Sequence, residues 1–148
     1  MGLEDLYRDI LLDHYRSPRN RGPLEDASVR IHLHNALCGD EIELALKVQG
    51  DRIEQARFSG RGCSISQASA SMLTEAVRGL TVEQARELLS RVARMVRGEL
   101  PAEQAQLGEL EALSGVSRFP VRVKCALLAW EALDKGLQQV EGPGPGAV

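Results

Sequence analysis

The sequence predicts an α+β domain: a three-stranded antiparallel sheet with helices packed on one face, preceded by one helix and followed by a helical run. Apolar residues recur with a period of two between residues 29 and 58, and with a period near 3.6 on either side. Grouped strands followed by grouped helices are typical of this fold class. The 148 residues, 43% of them apolar, are enough for one domain with a core.

The first helix and the three strands follow from these patterns. A stripe at helical spacing ends before the Pro- and Gly-rich segment 17–23, and it comprises Leu3, Leu6, Tyr7, Ile10, Leu11 and His14. Alternation predicts strands over 29–34 and 42–48, and a tight turn at Gly50-Asp51 leads into a third strand over 52–58. Cys38 then lies in the first hairpin connection.

Helical spacing resumes at Ser64, where Ser64 to Gln67 has the form of a capping box and places Cys63 at a helix N-terminus. Gly79 ends this helix. A second helix runs from Thr81 to Gly98, a shorter one follows Pro101, residues 114–117 form a loop, and a last helix follows Phe119-Pro120 and contains Cys125. We expect one domain over 1–140 and a flexible Gly/Pro tail over 141–148.

Composition excludes several classes of function. The net charge of -3 and the content of one Trp, two Tyr and two Phe provide neither a basic stripe nor a stacking platform, so we expect no nucleic acid partner. The sequence contains no apolar run long enough for a signal peptide or a membrane span, so we expect a cytoplasmic protein without a membrane partner. In a reducing compartment, three widely separated cysteines favour metal binding or thiol chemistry over disulfides.

The surroundings of each cysteine favour a thiolate. Gly39 permits a tight turn, so that Asp40 can point toward the same place as Cys38. A helix N-terminus favours the thiolate of Cys63. Arg122 lies one helical turn before Cys125.

Three thiolates and the Asp40 carboxylate would complete a tetrahedral zinc site or hold a small iron-sulfur cluster. The alternative is that each cysteine only fills a gap in the core. The spacings match no compact zinc finger, so they do not establish that the cysteines converge. We expect that the histidines are not ligands of this metal, because His14 belongs to an apolar stripe and His32 and His34 to the outward face of a strand.

Three motifs in order show a resemblance to a known family. They are Leu37-Cys38-Gly39-Asp40, Gly62-Cys63-Ser64-Ile65-Ser66-Gln67-Ala68-Ser69-Ala70-Ser71-Met72, and Phe119-Pro120-Val121-Arg122-Val123-Lys124-Cys125-Ala126-Leu127-Leu128-Ala129-Trp130. Over nearly its whole length the chain resembles the iron-sulfur cluster assembly scaffold family of the IscU/NifU amino-terminal type, with a SufE/NifU-like fold.

Within that family the chain is most similar to the zinc-binding SufU branch. Classical scaffolds have a cysteine where this chain has Arg61 and a histidine where it has Lys124. The segment from Leu100 to Ser117 resembles the insertion of the SufU branch. The Leu-Pro-Pro-Val-Lys docking motif of classical scaffolds is absent from the sequence, so the resemblance does not extend to binding of their dedicated chaperone.

The resemblance implies zinc held by Cys38, Asp40, Cys63 and Cys125. It implies a sulfurtransferase-like acceptor rather than a free-standing enzyme, in which Cys38 takes persulfide sulfur from a pyridoxal-phosphate cysteine desulfurase and passes it to downstream cluster-assembly proteins. Docking of the desulfurase would exchange one zinc ligand and free Cys38. Arg122 would hold the opened site by pairing with Asp40, and Arg61, Lys124 and Arg122 would balance the negative charge of the ligands.

Two alternatives remain. The chain would be a scaffold if Cys38, Cys63 and Cys125 held a transient [2Fe-2S] cluster for transfer to other proteins. It would be a structural zinc domain that only recruits partners if the site were closed and none of its thiols could take part in transfer.

Overall fold

A computed structural model of the chain describes residues 2–141 and confirms the predicted α+β class. In chain order the elements are α1 (Leu3–Arg16), β1 (Val29–Asn35), β2 (Asp40–Gln49), β3 (Arg52–Arg61), α2 (Ser64–Val77), α3 (Val82–Val96), α4 (Ala102–Ala105), a 3-10 helix (Gly108–Arg118) and α5 (Pro120–Glu141).

The strands form an antiparallel sheet in the order β1-β2-β3, and this sheet has one buried face. Side chains of alternate residues point into the core, as the period of two predicts. These are Val29, Ile31, Ile42, Leu44, Leu46, Ala56 and Phe58. On the opposite face of β1, His32 and His34 are exposed. The helices therefore cover one side of the sheet, as expected.

Hydrogen bonds join helices α2 and α5 beneath the sheet, and this matters because Cys63 caps α2 and Cys125 lies in α5. The Trp130 side chain is fully buried, and its Nε1 donates to Ser69 Oγ at 3.0 Å. The same hydroxyl donates to the Ala126 carbonyl at 2.6 Å. Because a buried hydroxyl needs partners, this pairing fixes how the two helices lie against each other.

Three predicted boundaries were wrong. The N-cap of α2 is Cys63 and not Ser64, because the Cys63 sulfur accepts from the Ser66 amide; the predicted capping box at Ser64 to Gln67 is therefore displaced. The predicted loop at 114–117 belongs to the 3-10 helix. Strand β3 continues past Phe58 to Arg61, because pairing with β2 extends to Glu41.

The other helix ends agree with the sequence signals. Thr81 caps α3 in a reciprocal capping box with Gln84, and α5 begins at Pro120. Apart from Glu141, the last residue of α5, the predicted tail over 141–148 lies outside the described residues. Among the described helices, none is both long and apolar enough to span a membrane.

Candidate metal centre

The connection between β1 and β2 presents Cys38 and Asp40. The amides of Cys38 and Gly39 both donate to the Asn35 carbonyl, at 3.2 and 2.9 Å, and close a tight turn. Gly39 has a φ of 68°, a conformation that glycine adopts without steric cost. The turn leaves Cys38 partly exposed and Asp40 fully buried.

Pairing of β2 with β3 brings Cys63 to Asp40. Glu41 lies opposite Arg61, so the start of β2 adjoins the residues that follow β3. The Cys63 amide donates to Asp40 Oδ1 at 2.8 Å, and the Cys63 sulfur lies 3.8 Å from Asp40 Oδ2. The buried carboxylate is thus held by a charge-assisted hydrogen bond at the N-terminus of α2.

Gly62 makes this close approach sterically feasible, and the sequence analysis did not single it out. Its φ is 151°, and a Cβ atom there would overlap Asp40 Oδ1 and lie 2.8 Å from Ser66 Oγ. Any side chain at this position would displace the carboxylate. The signal in the sequence was a glycine directly before a candidate ligand.

Helix α5 contributes the third thiol. Cys125 is 2% exposed, and its sulfur lies 3.0 Å from that of Cys38. A disulfide bond is about 2.05 Å long, so both are free thiols. The donor atoms of Cys38, Asp40 and Cys125 all lie within 4.8 Å of one another. The structure therefore groups three of the four candidate ligands, and the fourth, Cys63, adjoins them with its sulfur 3.8 Å from Asp40 Oδ2.

Burial strongly raises the pKa of the Cys125 thiol, and its hydrogen bonds with Cys38 and Asp40 and the charge of Cys63 raise it further. Without a cation this thiol keeps its proton, because a second or third negative charge in a buried cluster is unfavourable. A dication would reverse that preference. Three thiols, one of them buried and two partly exposed, and a buried carboxylate are a donor set that fits zinc or an iron-sulfur cluster.

The three basic side chains that the sequence associates with the site have different neighbours. Arg61 pairs with Glu41, at 3.0 Å between Nε and Oε2, and its side chain is largely exposed. The exposed Arg122 side chain lies over the Phe119 ring, 5.7 Å from its centre. Lys124 lines a separate cavity with Glu131. Of the three, Arg122 borders the cavity that also contains Ser64 and Ile65, next to Cys63.

The histidines lie at two different places. His32 Nε2 lies 3.3 Å from Glu41 Oε1 on the exposed face of the sheet. His34 borders a surface cavity of about 310 Å³ with Asp40 and Arg61. His14 is buried between α1 and α2, where it faces Glu75 and Glu109.

Comparisons with known proteins find relatives over nearly the whole chain. The profile of the NifU-like N terminal domain matches residues 6–142. The zinc-dependent sulfurtransferase SufU of Bacillus subtilis (strain 168) is 47% identical over 140 residues, which are 95% of each chain. The iron-sulfur cluster assembly scaffold protein IscU of Streptococcus pyogenes serotype M1 is 42% identical over 93% of this chain and 86% of its own.

A solved structure of a relative has the same fold as this chain. A protein of Fervidobacterium islandicum AW-1, described as an iron-sulfur cluster assembly scaffold protein for the SUF system, superposes with a TM-score of 0.82. It is 33% identical, and the match covers 92% of this chain and 99% of the other.

Proposed function

Because the chain belongs to the family of NifU-like N terminal domains, we propose that it serves iron-sulfur cluster assembly as a zinc-bound acceptor of persulfide sulfur. The observation that carries the proposal is a partly exposed thiol, Cys38, in contact with a buried thiol and beside a buried carboxylate. The Cys38 sulfur can meet a partner while Cys125 and Asp40 stay buried. Cys63 is also partly exposed, but its sulfur accepts the Ser66 amide at the start of α2. The similarity to a zinc-dependent sulfurtransferase supports this function.

Cys38, Asp40, Cys63 and Cys125 would hold the zinc ion. When bound, zinc keeps the thiols deprotonated and ties β2, α2 and α5 together, which links metal binding to folding. The chain prepares the site by burying Asp40 and Cys125 and by placing Cys63 at a helix N-terminus. Because the site needs reduced thiols, we propose that the protein works in the cytoplasm.

Sulfur transfer is a thiol-persulfide exchange on Cys38. Its thiolate attacks the terminal sulfur of a persulfide on the active-site cysteine of a pyridoxal-phosphate desulfurase. A sulfur-sulfur bond to Cys38 forms as the bond within the donor breaks, and the donor cysteine leaves as a thiolate. No oxidant is consumed. The chain then carries the sulfur to downstream assembly proteins, as an acceptor rather than a free-standing enzyme.

Arg122 is a positioning residue in this proposal. Its guanidinium is exposed, and α5 brings it to the same end of the helix as Cys125. The guanidinium lies over the Phe119 ring, and we propose that it turns to pair with Asp40 when the desulfurase docks. Pairing would keep the carboxylate occupied while Cys38 reacts.

The surface around Cys38 is suited to a protein partner. Leu37 is 69% exposed directly beside Cys38, and Phe119 and Val121 are exposed at the start of α5. An exposed apolar side chain directly beside the Cys38 thiol, with two more at the start of the helix that contains Cys125, favours docking of another protein. We assign this surface to the desulfurase.

The second candidate function is a scaffold on which Cys38, Cys63 and Cys125 assemble a transient [2Fe-2S] cluster for transfer. The 42% identity to a scaffold protein favours it, and the same three thiols would serve. In this case the cluster is cargo, and zinc occupies the site only in its absence.

One experiment separates the two functions. Zinc-loaded protein is incubated with a cysteine desulfurase and cysteine, and then its intact mass and metal content are measured. The acceptor function predicts the added mass of one sulfur atom on Cys38 with zinc retained, and no adduct on Cys38→Ser. If iron is supplied and a coloured cluster forms without a Cys38 adduct, the scaffold function replaces it.

A further inference from the structure

A second cluster of ligand-type side chains lies apart from the cysteines, where α1, α2 and the 3-10 helix meet. His14 of α1 is 1% exposed, and its Nε2 has no hydrogen-bond partner in the part of the chain that the structure describes. This nitrogen is directed at the carboxylates of Glu75 and Glu109. A buried polar atom without a partner costs free energy, and a bound ion or water at this nitrogen would remove that cost.

The distances suit a shared metal ion better than direct hydrogen bonds. Nε2 lies 3.9 Å from Glu75 Oε1 and 3.5 Å from Glu109 Oε2, whereas an N–H···O bond spans about 2.7–3.2 Å. Two ligands bound tetrahedrally to zinc at about 2.1 Å each lie about 3.4 Å apart. All three donor atoms fall within 4.8 Å of one another.

The other side of the imidazole is fixed in a way that suits a metal ligand. Nδ1 lies 2.8 Å from Ser71 Oγ, which also accepts the Arg19 amide at 2.8 Å. A hydroxyl oxygen has two lone pairs, so it can accept both protons. With its proton on Nδ1, the ring presents the Nε2 lone pair to the carboxylates, as in many metal-binding histidines.

Space and charge are also appropriate for a cation. The three side chains border a cavity of about 320 Å³, and the Glu75 and Glu109 side chains are 49% and 65% exposed, so an ion and a water can enter. The nearest cationic group is Arg19, whose Nε lies 4.0 Å from Glu75 while its terminal nitrogen pairs with Asp13 at 2.5 Å. Because Arg19 is shared with Asp13, the Glu75 and Glu109 carboxylates leave the site with a net negative charge.

We propose that His14, Glu75 and Glu109 bind a second divalent cation, with zinc as the best match to one imidazole and two carboxylates. The ion joins α1, α2 and the 3-10 helix, three elements that are far apart in sequence. It has no part in sulfur transfer, and it does not depend on which cargo the cysteines carry.

The test compares zinc content in the folded parent, Glu109→Gln and Glu103→Gln. Glu109 is exposed, so its substitution should leave the fold intact, and exposed Glu103 is a matched control with the same loss of charge. After equilibration with buffered zinc, Glu109→Gln should hold one equivalent less than both others. Affinity at this site should fall more than about 100-fold, since losing even a supporting group costs about 10–100-fold.

A spectroscopic measurement identifies the ligand. The chain has three histidines, so the imidazole ¹⁵N spectrum is simple. Zinc beyond the cysteine centre should move the His14 Nε2 resonance in the parent and not in Glu109→Gln. Equal zinc content in Glu109→Gln and the parent, or an unmoved His14 resonance, would overturn the proposal. If the cysteines hold no zinc, every variant loses that equivalent and the difference of one remains.

Discussion

Replacement of Gly62 by alanine tests whether the site depends on close approach of the chain to Asp40. A Cβ atom at this position would overlap Asp40 Oδ1 and lie 2.9 Å from Asp40 Cα, so the carboxylate has to move. The backbone of Gly62, at a φ of 151°, is also unfavourable for any other residue. We expect Gly62→Ala to weaken metal binding as well as lower stability.

The size of the effect follows from the contact that is lost. Asp40 accepts the Cys63 amide at 2.8 Å while fully buried. Losing a hydrogen bond to a charged group costs about 1.5–3 kcal/mol. Since 1.4 kcal/mol corresponds to a factor of ten, zinc affinity should fall about 10-fold to 100-fold. Strain at a disfavoured φ adds about 1–3 kcal/mol to the loss of stability.

Gly79→Ala is the control, because Gly79 also has a positive φ of 85° but has no atom within 4 Å of an added Cβ. Zinc affinity is measured by competition with a chromophoric chelator, and stability by thermal unfolding. Both variants should melt at lower temperature than the parent, and Gly62→Ala alone should lose zinc affinity. Parent-like zinc affinity in Gly62→Ala would show that Asp40 is not placed by this contact.

Three further predictions concern the ligands and their surroundings. Cys63→Ala and Cys125→Ala should lose zinc and stability together, because structural zinc supplies about 10 kcal/mol or more of apparent binding energy; unchanged zinc content in either variant would remove that residue from the ligand set. The pKa of the Cys125 thiol is raised above 9.0 in the folded protein. The protonated thiol therefore stabilises the metal-free protein fully below pH 9.0, and this stabilisation is lost as the pH rises above 9.0. The melting temperature of the metal-free parent should therefore fall with pH in that range more steeply than that of Cys125→Ala, and equal slopes would contradict the assignment. Arg122→Ala should keep zinc but slow desulfurase-dependent sulfur uptake, whereas Lys124→Ala, which faces a different cavity, should stay near the parent; equal rates would leave Arg122 without a role.

The sheet and the long helices could be predicted because each has a buried face with a regular period. Alternation in β2 placed Ile42, Leu44 and Leu46 in the core, where they are at most 1% exposed. The 3-10 helix could not be predicted in this way. Its buried residues Leu110, Leu113 and Val116 recur every third residue, and the segment packs against α1 and α3.

The hairpin formed by β2 and β3 explains why Cys38 and Cys63 lie near each other, and the sequence contains the signal for it. A hairpin pairs residues that are equidistant from its turn. Cys38 and Cys63 are equidistant from the turn between Gly50 and Asp51. Extending the predicted hairpin beyond Phe58 would have placed the two thiols side by side. The bulge at Lys47/Val48 shifts the pairing by one residue and sets Gly62 opposite Asp40.

For Cys125 and His14, periodicity predicts burial but not the groups that each side chain contacts. Both belong to the buried stripe of a helix, and a stripe indicates which face is covered but not which side chains cover it. For Cys125 the covering groups are another thiol and a carboxylate, and for His14 they are two carboxylates from elements about 60 and 95 residues away. The pattern alone therefore indicates only an inward position for both, although Cys125 adjoins the cysteine centre and His14 Nε2 has no hydrogen-bond partner among residues 2–141. A polar or thiol side chain within an apolar stripe is a reason to ask what lies opposite, and only the packing of the helices answers that question.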